Sequence, residues 1–131
     1  MKKWIVWWNV FVGLMDSITG ILLMAVPALT LSLMGLQPID PSSPVFLSWM
    51  GAFVFAIGFV YLLPFFLSLR DPSEGEMIWK ITALVRFVIA GFVSWKIMQG
   101  QLEWRWITVA ITDGVVAMVQ VIGLRNQCWR K

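Results

Sequence analysis

An all-α membrane protein with four transmembrane helices in an up-down bundle is what this chain predicts, and three observations carry the prediction. AVILMFWYC make up 60% of its 131 residues while only 13% are charged, about half the share a soluble domain needs to coat itself. Mean hydropathy is +0.82. Four apolar runs, 4–34, 44–69, 77–98 and 104–124, each reach the roughly 20 helical residues that cross a hydrocarbon layer about 30 Å thick, and together they form one domain over 1–131.

The first run is too long for one simple span, so it must tilt, kink or break near Pro27, with Pro27–Gly35 as an interfacial segment. Its Met-Lys-Lys start and Val26-Pro27-Ala28 imitate a signal peptide and cleavage site, but Asp16 interrupts the apolar core such a signal requires. The second run carries no Asp, Glu, Lys or Arg. The third contains Lys80, Arg86 and Lys96, and the fourth contains Asp113. The connections are Gln37–Ser43, the acidic stretch Arg70–Glu76 and Gln99–Glu103, none long enough for a folded domain. In the second of these, Glu74-Gly75-Glu76 reads as a solvated loop leading into the amino-terminal cap of the third helix.

Orientation follows from the cations. With both termini cytoplasmic, Lys2, Lys3, Arg70, Lys80, Arg125, Arg130 and Lys131 lie inside against Lys96 and Arg105 outside, a seven-to-two bias of the kind that sets topology. The tryptophans then form belts at both interfaces: Trp4, Trp7, Trp8, Trp79 and Trp129 inside, and Trp49, Trp95, Trp104 and Trp106 outside.

Composition also removes chemistry. There is no histidine and a single cysteine, Cys128. Imidazole-held haem, zinc sites, iron–sulfur clusters, Cys–His or Ser–His catalysis and CxxC exchange all need residues the chain does not have. No catalytic residue, metal site or cofactor is expected, and the eight methionines read as core filler. The basic balance belongs to span ends rather than to a face for a phosphate backbone, so no nucleic acid is expected as partner. Membrane lipids, other membrane subunits or further copies of the chain are.

The distinctive feature is charge inside the spans. Asp16, Arg86 and Asp113 each cost about 2.5–3.5 kcal/mol at a helix centre and must face the bundle and find partners. At ~1.5 Å per residue, Asp16 lies about 20 Å beyond Lys3, Asp113 about 18 Å before Arg125 and Arg86 about 14 Å beyond Met77. The two carboxylates share a level that the long arginine can reach. Helical spacing puts Gly13, Asp16, Ser17 and Gly20 on one stripe; Ala110, Asp113, Gly114, Ala117 and Gln120 on another; and Gly51, Gly58 and Tyr61 near one side of the second helix. A buried cluster of Asp16, Arg86 and Asp113 is therefore expected, with Ser17, Tyr61 and Gln120 as supporting polar groups and Gly13, Gly20, Gly51, Gly58 and Gly114 as packing positions. Ser17, Thr19, Thr82, Ser94, Thr108 and Thr112 are expected to bond back to their own helices.

Two acids and one arginine do not balance, which leaves structural ion pairing, a polar pocket for lipid or quinone, and proton- or ion-coupled transport through Asp16 and Asp113 as readings. The short loops favour the first, a non-catalytic accessory or structural subunit of a larger membrane complex.

A first helix with Gly13, Asp16, Gly20 and Pro27, then Leu33-Met34-Gly35, Trp49-Met50-Gly51 and Gly58, Arg86 in the third helix, and Asp113, Ala117, Gln120 and Leu124 in the fourth resembles the small four-span bacterial membrane proteins of the DoxX-like kind. The resemblance implies a prokaryotic inner membrane and, for some members, association with a quinol-oxidising respiratory complex. It assigns no catalytic residue.

Overall fold

In a computed structural model, residues 2–37, 43–66 and 71–129 are described. They form α1 (Lys3–Ala25), α2 (Pro27–Leu33), α3 (Ser43–Phe66), α4 (Pro72–Met98), a 3₁₀ turn (Trp104–Trp106) and α5 (Ile107–Arg125), with no strand among them. The protein is all-α, and α1, α3, α4 and the stretch Trp104–Arg125 are each long and apolar enough to cross a membrane. The chain divides into two compact units, one built from α1, α2 and α3 and the other from α4, the 3₁₀ turn and α5.

In the first unit α1 and α3 pack antiparallel through glycine. A Cβ added at Gly13 would lie 2.9 Å from the Gly58 carbonyl, one at Gly20 would lie 2.4 Å from the Phe55 amide, and one at Gly51 would lie 2.7 Å from the Gly20 carbonyl. The backbones themselves are in contact, which only a missing side chain allows. The buried face of α1 runs Ile5, Asn9, Val12, Gly13, Asp16, Ser17, Gly20, Leu23, a single helical stripe.

The long first run breaks at Val26. Pro27 opens α2 and has no N–H for the Leu23 carbonyl four residues back. Ser48 of α3 fills the gap: its Oγ donates to the carbonyls of Leu23 (3.4 Å) and Met24 (3.2 Å). A hydroxyl from a neighbouring helix is how an apolar environment tolerates a proline break.

In the second unit α4 begins earlier than the sequence suggests. The expected loop Arg70–Glu76 is helical from Pro72, because Asp71 caps the helix by accepting from the Ser73 N–H at 2.9 Å and proline is preorganised for the first helical position. Glu74 lies in that first turn, where the helix dipole favours a carboxylate. Gly75 and Glu76 are buried rather than solvated.

Tryptophans lock this antiparallel hairpin. Trp79 of α4 occupies the space a Cβ at Gly123 would need (2.5 Å), Trp129 does the same at Gly75 (2.3 Å), and the two indoles meet edge to face at 5.4 Å. Gly114, expected to be a packing glycine, is not one of these notches: a Cβ there would meet nothing within 4 Å. Its stripe is small, but the hairpin's close contact lies at Gly75 and Gly123, where an indole fills the gap.

Candidate intramembrane polar site

Two side-chain bonds join α4 to α5 within the hairpin. Arg86 projects from the middle of α4, one turn beyond Thr82, on the face that also buries Trp79 and Ala83. Opposite it Asp113 lies on α5. Arg86 Nη1 donates to Asp113 Oδ1, with the side chains 4% and 14% exposed respectively. Such a charge-assisted bond between ions sheltered from water is strong, and it relieves the cost each would carry alone in an apolar medium.

One turn away a second bond crosses the same interface. Gln120 Nε2 donates to Thr82 Oγ1 at 2.8 Å, and Thr82 Oγ1 donates in turn to the Ile78 carbonyl at 2.8 Å. Gln120 and Thr82 are both fully buried. The Gln120 Oε1 has no hydrogen-bond partner among the described residues. Asp113 and Gln120 are seven residues apart on α5, and Arg86 and Thr82 four apart on α4, so charge and amide lie on one seam of each helix.

The α1–α3 unit carries its own polar stripe. Asp16 is 8% exposed, and the Cβ of that residue would lie 2.8 Å from one added at Gly58. Ser17 is also 8% exposed, and its Oγ has no hydrogen-bond partner among the described residues. It does not bond back to α1 as expected, whereas Thr82, Thr108 and Thr112 do bond to their own helices. Tyr61 of α3 is fully buried. So is Asn9, two turns before Asp16 on the α1 stripe. Asn9 was not among the expected site residues, although seven-residue spacing from Asp16 was the signal that could have found it.

Of the expected charge cluster, the structure brings together Arg86 and Asp113 within one hairpin; Asp16 and Tyr61 belong to the other. The sequence of that other hairpin holds no Lys or Arg between residues 4 and 69.

No family model, curated protein or solved structure matches this chain.

At the ends of the hairpin, Cys128 is buried. Lys96 stands over the Trp95 ring (4.8 Å) and donates to Gln101 Oε1 (2.6 Å), closing the turn before Trp104.

Proposed function

We propose that this chain is a non-catalytic integral membrane protein of a prokaryotic inner membrane, acting as an accessory or structural subunit of a larger membrane complex. One observation carries the reading: across the α4–α5 hairpin Arg86 bonds to Asp113 and Gln120 to Thr82. A buried ion pair and a buried amide bond give a helix pair a fixed register rather than a reactive centre. The spans leave ample outer surface for neighbours, since between 22% and 39% of each is buried within the chain. Purification in mild detergent followed by identification of companions tests it. A defined membrane partner in fixed stoichiometry is the expected result. A chain that elutes by itself and carries proton-linked flux in vesicles overturns it.

A second reading, a small oligomeric proton- or ion-coupled transporter, is favoured by Asp16, a second mid-span acid that is itself buried. Under that reading Asp16→Asn abolishes coupled flux in a protein that still folds. Under the subunit reading the same change lowers stability and touches no pH-dependent activity.

A further inference from the structure

The turn that follows α5, Asn126–Trp129, is held against the start of α4 by contacts whose gains and costs can be named. On the favourable side, the Trp129 ring fills the notch at Gly75 and meets Trp79 edge to face, and the Cys128 N–H donates to the Gly123 carbonyl at 3.1 Å. On the unfavourable side, Gln127 has φ 49°, in the left-handed region that a side chain other than Gly or Asn adopts at a cost. The Trp129 indole is 5% exposed, yet its Nε1 has no hydrogen-bond partner among the described residues. Burying an indole N–H without an acceptor opposes the packing gain.

An alternative placement removes both costs. At a membrane–water interface an indole keeps its ring in an apolar layer while its N–H reaches water or a lipid carbonyl. Release of the turn also frees Gln127 from the left-handed conformation. We propose that Asn126–Trp129 is a releasable clasp, closed when Trp129 sits over Gly75 and open when the indole moves to the interface. Opening uncovers the first turns of α4, where Gly75 and Glu76 are buried in the closed form. It also uncovers Cys128, 8% exposed in the closed form and the chain's single cysteine, so thiol reactivity reads the equilibrium at one site.

The test is the labelling rate of Cys128 by a water-soluble maleimide in the full chain reconstituted in lipid nanodiscs. Trp129→Ala removes the ring from the notch and raises the rate about tenfold, the worth of one aromatic contact. Trp129→3-benzothienylalanine keeps the six-membered ring that fills the Gly75 notch and deletes the stranded N–H, so the closed form gains and labelling slows severalfold. Gln127→Asn, which tolerates the left-handed region better, also slows it. If Trp129→Ala labels at the wild-type rate, the ring does not hold the turn and the clasp is refuted. If Trp129→3-benzothienylalanine and Gln127→Asn both label at or above the wild-type rate, the indole N–H and the left-handed backbone are not costs of the closed form and the two-position idea fails. Those two variants retain the packing, so the outcome stands even where Trp129→Ala misfolds.

Discussion

The hydroxyl of Ser48 on α3 donates to the carbonyl of Leu23 on α1, the acceptor that Pro27 leaves without its helical donor. The break in the first apolar run is thus completed by a residue 25 positions away. Ser48→Ala should strand that carbonyl and lower stability by about 1 kcal/mol. Pro27→Ala restores an N–H at the break, so the double variant should lose less than Ser48→Ala alone. Thermal unfolding in detergent reads both, and equal losses in single and double variants would show that the hydroxyl does not serve the break.

Glycines divide into contacts and open positions. Gly20→Ala places a methyl 2.4 Å from the Phe55 amide and should cost roughly 1–3 kcal/mol through overpacking, with Gly51→Leu and Gly58→Leu worse. Gly91→Ala meets nothing within 4 Å and should gain up to about 1 kcal/mol through helix propensity. The melting temperatures should move in opposite directions, and a parallel shift would mean that α1 and α3 do not touch at these positions.

Removing Arg86 alone should be worse than removing Arg86 and Asp113 together. The single change strands a carboxylate at roughly 3–5 kcal/mol if fully buried, while Arg86→Met with Asp113→Leu leaves an apolar seam. A double-mutant cycle on unfolding free energy measures the coupling, and additive losses would deny the pair any energetic role. The same cycle on Arg86 and Asp16 tests the wider cluster expected from the sequence.

The Asp71 cap should make the start of α4 sensitive to acid. The Ser73 backbone N–H, and then its side chain, hold the fully exposed Asp71 carboxyl below its usual value of 3.8. A carboxylate lowered in the folded state contributes stability above its unfolded pKa and loses it as pH falls through the folded value. Hydrogen exchange at the Ser73 and Glu74 amides should therefore quicken, relative to its intrinsic rate, as pH drops below 3.8. Asp71→Asn, which caps without titrating, should abolish that dependence. Persistence of the acid response in Asp71→Asn would assign it to another group.

Orientation is better read from an exposed position than from the native thiol, because burial of Cys128 slows its labelling on either side. Gln99 is exposed at the end of α4, so Gln99→Cys in a Cys128→Ser background should react with an impermeant reagent on intact cells. Reaction only after permeabilisation would place the termini outside.

The four spans and the break at Pro27 were legible because membrane length and proline chemistry act on the local sequence. That Arg86 could reach a carboxylate was legible too, since rise per residue converts sequence distance into depth, but depth did not choose between Asp16 and Asp113. Gly114 was misjudged for a physical reason: a small residue on a stripe permits close approach but does not name the neighbour, and the hairpin spends its close contacts where Trp79 and Trp129 lie. The start of α4 was misplaced because the acidic residues outweighed the Asp71-Pro72 cap signal. Ser48 and Asn9 escaped notice because hydroxyls and amides in apolar runs declare their partners only through tertiary structure.

The joined charges of Arg86 and Asp113 have an electrical consequence. One elementary charge crossing a membrane potential is worth about 2.3 kcal/mol per 100 mV. A guanidinium and a carboxylate that travel together carry no net charge, so the potential does no work on their joint displacement along the membrane normal. At mid-span the Arg86–Asp113 pair is therefore blind to voltage, and these two side chains will couple the hairpin to the potential only in a variant that parts them.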